Sequence, residues 1–445
     1  MGNRFLSFYL LIGSFALLQS CSVSNQIAKQ ANAILLQDST ISTGHAGISI
    51  YEPATNSYWY NYNADKYFVP ASNTKLFTLY AGMKYLGDSL VGIRYKESKD
   101  SITIYPAADP TFLHPDYLKQ PVFDLLVIKK HLGFCSQYFT DNLGKGWAWD
   151  DYQEGYMTQR NEFPLYGNLA RIYISKDGYK IIPGVIPVNA SSSMIEKYKD
   201  SADYSIYRQW DNNTVFLTLK SREPHLNNII TVPIVMDFNT VVELLADTLK
   251  SEINLFGKKI TDSVENNDKR LNILYSQPTD SLLTPMIHRS DNFFEEQTLL
   301  MASNEHLGYM NDEAIIDSLL KNDLKDIPQK PTWVDGSGLS RYNLFTPQSF
   351  IYILNKMKNE FGLERLKKIL PTGGEGTLKD YYINDSTFIY AKTGTLGGTI
   401  ALSGFLITQK NKLLIFSVLT NNFKGRATAV RRAVEKFIIG IRKKY

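Results

Sequence analysis

The chain has 445 residues, 44% of them hydrophobic and 21% charged, with 28 Tyr, 23 Phe and 5 Trp. That length and apolar content suit two or three compact domains and exclude disorder as the general state, and neither Gly nor Pro is frequent enough for a fibrous chain. The net charge of +4, from 48 basic and 44 acidic residues, gives no electrostatic reason to expect a nucleic-acid partner, and two cysteines with six scattered histidines predict no metal site and no cofactor.

Met1-Gly2-Asn3-Arg4 precedes an apolar run over residues 5–18, followed by Gln19-Ser20-Cys21. A short basic region, a hydrophobic stretch and a small residue at the cut predict an export signal over residues 1–20. The run is too short to cross a bilayer as a mature helix, which needs about 20 residues. Leu18-Gln19-Ser20-Cys21 resembles a bacterial lipobox, which implies that Cys21 is lipidated and anchors an exported protein to a membrane of the cell envelope. Cys135 then has no intrachain partner and is expected as a buried apolar residue.

Residues 21–40 read as a mostly polar tether, although Ile27, Ala31, Ile34 and Leu35 have the spacing of a short amphipathic helix. Ile48 and Ile50 alternate with polar neighbours, Pro53-Ala54-Thr55-Asn56 is turn chemistry, and Tyr58 and Tyr60 begin a return strand. Pro70 opens a predicted helix from residue 71 to about 86, with Gly87 placed to stop it. Residues 175–235 carry β-branched runs separated by Gly, Pro and Asn, a small β-rich module, and residues 238–255 predict a closing helix. Thr346-Pro347 starts a helix through about residue 361, and residues 399–408 and 412–419 read as two strands. Val430, Val434, Phe437, Ile438 and Ile441 mark one face of an amphipathic C-terminal helix, whose Arg and Lys residues read as a solvated face. Strands packed on these helices predict an α+β fold, an antiparallel sheet covered by helices.

Chemistry enters at Ser72-Asn73-Thr74-Lys75. Residues three apart on a helix share a face, so the hydroxyl and the amine come within reach, and a neutral lysine can take the serine proton. Composition alone predicts about two such pairs in a chain this long, and a second occurs at Ser318-Leu319-Leu320-Lys321 within a run that reads as a charged surface helix. Ser72 is set apart by its company, Ser290-Asp291-Asn292 and Lys392-Thr393-Gly394-Thr395, in that order. A short Ser-x-Asn turn offers a hydroxyl to relay a proton and an amide to hold a carbonyl. Lys-Thr-Gly at the start of a strand supplies a cation, a hydroxyl and a position where substrate backbone can approach closely.

With these three motifs the chain resembles the class C low-molecular-mass penicillin-binding proteins, the D-alanyl-D-alanine carboxypeptidase/endopeptidases. Asp335-Gly336-Ser337-Gly338-Leu339-Ser340-Arg341 and Leu370-Pro371-Thr372-Gly373-Gly374-Glu375-Gly376-Thr377-Leu378 look like connecting loops of that family. The resemblance implies a DD-peptidase/β-lactamase-like fold with a β-rich insert between the first and second motifs. The implied division is a tether at 21–40, catalytic parts at 41–97 and 269–445, and inserted domains at 98–268.

The resemblance also implies acyl transfer. Ser72 attacks a D-Ala-D-Ala carbonyl, Lys75 accepts its proton, Ser290 relays a proton to the leaving amine, and Asn292 holds the peptide. Lys392, Thr393 and Thr395 receive the terminal carboxylate, Gly394 leaves room for the substrate backbone, and the N–H groups of Ser72 and Thr395 form the oxyanion hole. Desolvation and the charge of Lys392 are expected to lower the Lys75 pKa. Trp147-Ala148-Trp149-Asp150-Asp151-Tyr152, followed by Tyr156, is similar to a family segment that recognises the free end of the peptide's diamino acid, which makes Trp149, Asp151, Tyr156 and Arg341 substrate contacts. The implied partners are peptidoglycan stem peptides, β-lactams as inhibitors and the membrane through the lipid anchor. Ala107-Ala108-Asp109-Pro110-Thr111 stands where the family has a Gly-rich turn, so a tight glycine conformation is not expected there.

Two other readings are a β-lactamase or related esterase, and a non-catalytic cell-wall binding or sensing lipoprotein. Arg160-Asn161-Glu162-Phe163-Pro164-Leu165 resembles the loop of class A β-lactamases whose Glu drives deacylation. In those enzymes the loop follows the Ser-Asp-Asn motif, whereas Glu162 precedes it, so Glu162 reads as structural. A complete nucleophile, base and relay set argues against a simple binder.

Overall fold

The computed structural model describes residues 23–136, 139, 141–175, 178–191, 204–219, 229–250 and 271–445. Cys21 and the expected export signal lie outside the described residues. The chain separates into two compact units, one formed by residues up to Tyr80, Ile287–Ser290 and Leu319–Tyr445, the other by Ala81–Met286 and Asp291–Ser318.

The first unit is built on a five-stranded antiparallel sheet in the order Ile389–Leu396, Thr399–Ile407, Leu413–Asn421, His45–Glu52 and Ser57–Tyr62. The expected hairpin is its far edge. Strands Thr399–Ile407 and Leu413–Asn421 are buried along nearly their whole length, because helices cover both faces. Ala46, Ile48 and Ile50 share a core with the C-terminal helix Ala427–Lys444. Gly47, pointing the other way as strand alternation requires, meets Pro347 at the start of the helix Pro347–Phe361. That helix starts as predicted, with Thr346 accepting the Ser349 amide in a capping box.

All five apolar residues expected on the C-terminal helix are buried. They pack with Ile27, Ala31 and Leu35, which corrects the reading of residues 21–40 as a tether. Residues 23–31 are α-helical and continue into the π-helical Asn32–Leu36. Burying an aliphatic side chain contributes about 1.5–3 kcal/mol, so the apolar stripe prevails over the polar composition around it. The helix expected to start at residue 71 is also modified. Ala71 sits at φ 48°, outside helical space, so the first turn tightens to a 3₁₀ turn, Ala71–Thr74, before the α-helix Lys75–Tyr85 begins.

The second unit holds a four-stranded sheet in the order Asn272–Pro278, Ser89–Glu97, Ser101–Pro106 and His131–Phe134. It also holds two three-stranded sheets, Ile229–Pro233 with Leu169–Ser175 and Gly178–Ile182, and Val188–Ser191 with Val215–Leu219 and Tyr204–Arg208. The β-rich module is therefore present but starts at Leu169. Its limits differ from an insert at 98–268, since Ser89–Glu97 pairs directly with both Asn272–Pro278 and Ser101–Pro106. Hydrogen bonding within that sheet carries the unit back to Ala81 and forward past residue 268. The helix Phe238–Leu249 is capped by Asp237 and ends at Lys250, at φ 51°; the remainder of the expected helix, residues 251–255, lies outside the described residues. Cys135 is buried, as expected of an apolar residue. Ala108 takes the left-handed conformation, φ 60°, that the lack of glycine argued against. Its N–H donates to the Glu162 carbonyl at 2.9 Å and its carbonyl accepts from Gln297 Nε2 at 2.8 Å, while the adjacent buried Asp109 carboxylate accepts from Thr111 N and Oγ1, both at 2.9 Å, and burial pushes its pKa up.

Candidate active site

Ser72 is the one partly exposed residue in a buried run from Ala71 to Lys75. The 3₁₀ turn and the start of the helix bring Lys75 Nζ to 3.2 Å from Ser72 Oγ. Lys75 has no exposed surface, and its side-chain nitrogen also donates to the Ser337 carbonyl. The loop at 335–343 closes over this turn. Thr78 Oγ1 donates to Gly336 O at 2.8 Å, and the buried Asp335 carboxylate gathers Gly338 N, Ser340 N and Asn343 Nδ2 at 2.7–2.9 Å. Gly338 has φ 80°, and a Cβ there would overlap the Ala71 carbonyl, so glycine is what lets the loop lie against the Ser72 turn.

Lys392 is also fully buried, and its Nζ donates to Ser290 Oγ and to Thr393 O, both at 2.8 Å. Ser290 adopts φ 59° in the short bend that follows the helix Thr279–Arg289. The Lys-Thr-Gly motif lies in the middle of the strand Ile389–Leu396 rather than at its start. Strand alternation puts Lys392 and Gly394 on one face and Thr393 and Thr395 on the other. A side chain at Gly394 would press on Pro70 O and Asn73 N, so this strand packs directly on the Ser72 turn. With its amide nitrogen toward Lys392 O (2.7 Å) and its oxygen toward Leu402 N (3.2 Å), Asn73 fastens the two together. Thr395 Oγ1 accepts from Arg431 Nη2 at 2.6 Å, and Arg341 donates to Gly397 O at 3.3 Å.

Asn292, Trp149, Asp151 and Tyr156 belong to the second unit. Asn292 begins the helix Asn292–Leu307, which Asp291 caps by accepting from Phe294 N. Its Nδ2 donates to the Tyr156 carbonyl at 2.8 Å, so one of the two N–H groups expected for substrate is already used within the protein. Trp149–Asp151 and Gly155–Met157 are single 3₁₀ turns, with Trp149 72% and Tyr156 47% exposed. Partial desolvation and a hydrogen bond to Asp151 push the Tyr156 phenol up to about 12. Beneath this segment, Arg160 donates to the Asp141 and Leu143 carbonyls and pairs with Glu296 and Asp312. Glu162 is buried; its carboxylate accepts from Ser136 Oγ and its carbonyl from Ala108 N, contacts within the second unit.

The sequence matches the D-Ala-D-Ala carboxypeptidase 3 (S13) family over residues 27–444. The chain belongs to that family. Among its relatives are the penicillin-sensitive carboxypeptidase A of Dictyostelium discoideum, 23% identical with 88% of this chain and 85% of that protein covered, and the D-alanyl-D-alanine carboxypeptidase DacB of Haemophilus influenzae, 22% identical with 82% of each covered. Penicillin binding protein 4 (dacB) from Haemophilus influenzae has a similar structure, with a TM-score of 0.71 at 19% identity over 93% of this chain and 98% of that one. A predatory endopeptidase from Bdellovibrio bacteriovorus gives 0.51 at 16% identity over 89% and 94%. These likenesses agree with the DD-peptidase/β-lactamase-like α+β fold, and membership of the S13 family makes the protein a serine hydrolase of the D-Ala-D-Ala carboxypeptidase class.

Within this S13 chain, two lysine–serine pairs form, Lys75 with Ser72 and Lys392 with Ser290. Three contacts escape sequence reasoning: those made by the Ser337 carbonyl, Arg160 and Arg431. Only the first had a legible signal, a Gly-Ser-Gly run beside an aspartate that predicts a tight loop. Arg160 and Arg431 look like any surface arginine until their neighbours are known.

Proposed function

We propose that the protein hydrolyses D-alanyl-D-alanine-terminated or cross-linked stem peptides of peptidoglycan through an acyl-enzyme on Ser72, and that β-lactams acylate the same hydroxyl. The observation that carries this is the pairing of a partly exposed Ser72 Oγ with a fully buried Lys75 Nζ at 3.2 Å. Burial disfavours a charged ammonium, the condition for an amine that accepts a proton. Lys75 takes the Ser72 proton as Oγ attacks the carbonyl, the D-amino acid leaves with a proton relayed through Ser290, and water then releases the acyl group. Lys392 holds the Ser290 hydroxyl and contributes positive charge. The backbone N–H groups of Ser72 and Thr395 stabilise the oxyanion, at about 3 kcal/mol per donor in other hydrolases.

Thr393 and Thr395 bind the carboxylate of the leaving residue, and Asn292 holds the peptide. Trp149, Asp151, Tyr156 and Arg341 contact the diamino acid, where a carboxylate suits an ammonium and a guanidinium suits a carboxylate. Relatives named as carboxypeptidases and an endopeptidase support both terminal trimming and cross-link cleavage. A β-lactam complex of the Haemophilus influenzae protein supports the inhibitor class. Cys21 carries the lipid that holds the enzyme to an envelope membrane. Wild type and Ser72→Ala are incubated with defined muropeptides and with a fluorescent penicillin, and products and adducts are read by mass spectrometry. Loss of both D-alanine release and labelling in the variant is expected; activity surviving the change overturns the proposal.

A further inference from the structure

We infer that Arg431 makes the enzyme selective for a leaving group that bears a free carboxylate, by fixing the hydroxyl of Thr395 as a hydrogen-bond donor; this rests on the acyl-transfer reading of Ser72. Arg431 projects from the C-terminal helix, whose apolar face is buried under the sheet. Its neighbours on that helix have acidic partners: Arg432 pairs with Glu435 at 2.6 Å and Arg442 with Asp385 at 2.8 Å. Arg431 has no carboxylate partner among the described residues, and its Nη2 donates to Thr395 Oγ1 at 2.6 Å.

A guanidinium can only donate, so at this contact the threonine oxygen is the acceptor. The hydroxyl proton is therefore turned away from Arg431 and available to an acceptor arriving beside the strand, and the adjacent positive charge polarises it. Without Arg431 the hydroxyl rotates freely and can as well present a lone pair, which repels a carboxylate. Thr393 and Arg431 also line one recess, with Thr377, Leu378, Ile400 and Val434. The uncompensated cation thus borders both threonines of the motif strand. The ligand class that this arrangement fits is an α-carboxylate one residue beyond the scissile carbonyl, and Arg431 acts on it as a positioning residue through Thr395.

The test uses the full chain and two acyl-D-alanyl thioesters, one whose leaving group ends in a carboxylate and one in which that carboxylate is a primary amide. Arg431→Gln is expected to raise KM for the acid about tenfold, the loss of one charge-assisted contact, with kcat and amide turnover unchanged. Arg431→Lys should restore most of the KM, and Arg431→Gln should add nothing in a Thr395→Val background. Equal losses on acid and amide, an unchanged KM for the acid, or full additivity with Thr395→Val would each overturn the assignment of Arg431 alone. Absence of thioester turnover by the wild type would instead overturn the acyl-transfer reading, and this inference with it.

Discussion

The Ser72 turn with its motif strand in the first unit, and the segment from Trp149 to Tyr156 in the second, both carry side chains that we propose for substrate, and they are built in opposite ways. In the first, both lysines are fully buried, each is held by a serine hydroxyl and a backbone carbonyl, and a glycine at 338 lets the neighbouring loop lie against the Ser72 turn. In the second, two isolated 3₁₀ turns expose Trp149 and Tyr156 and are tied down from below. Asn292 holds the Tyr156 carbonyl, and Tyr152 stands edge-on to Trp210 at 4.9 Å while Arg208 donates to its carbonyl. Bond-making chemistry needs rotors fixed to within a fraction of an ångström, which only dense packing supplies. Recognition of a flexible peptide, the role we propose for the second segment, needs accessible surface, which its exposed turns supply.

That contrast can be broken experimentally. The largest effect is expected from Gly338→Ala, which forces a side chain into left-handed backbone and against the Ala71 carbonyl. Thermal denaturation should show a loss of at least about 1–3 kcal/mol, and penicillin acylation should fall with it; a variant that melts normally and acylates at the wild-type rate would show that the loop does not support the nucleophile. Trp149→Ala is the counterpart in the open segment. Its stability should stay within about 0.5 kcal/mol of wild type, while KM for a diamino-acid-containing peptide rises several-fold, and steady-state kinetics beside a melting curve separates the two.

The smallest effect concerns pH. His288 lies two residues before Ser290, with a buried Nε2 that finds no hydrogen-bond partner among the described residues, and burial lowers its pKa against a weaker opposing pull from Glu375. Its contribution to stability is therefore complete above the unfolded value of about 6.5 and is lost as pH falls toward the folded one. Melting temperatures at pH 7.5 and 5 should show this loss, and His288→Gln should reduce it. Tyr156, held up to about 12, adds no titration across that range.

Much of the molecule is legible in the residues alone. The hairpin, the helix from Pro347, the last two strands and the C-terminal helix follow from period and capping, since each is a local pattern with a strong apolar stripe. The readings that fail do so for identifiable reasons. Residues 21–40 read as a tether because Ser, Asn, Gln and Lys interrupt their apolar residues, but Ile27, Ala31 and Leu35 at helical spacing suffice when a partner helix is present to bury them. The start of the Ser72 helix changes because Ala71 takes φ 48°, a conformation that propensity does not anticipate. Ser89–Glu97 joins a sheet whose other strands begin up to 183 positions later in the chain (272 minus 89), so no local signal places it.

By itself, the sequence determined the chemical inventory: two lysines, two serines and an asparagine in three motifs, and the elements that bear them, because motif residues and periodicities are properties of the chain as written. The tertiary structure alone decided that Lys392 meets the Ser290 hydroxyl, that Asn292 spends an amide hydrogen on Tyr156, and that Arg431 reaches Thr395. Those are contacts between residues 36 to 136 positions apart, and in a folded chain such proximity depends on how helices and sheets pack, not on spacing along the backbone.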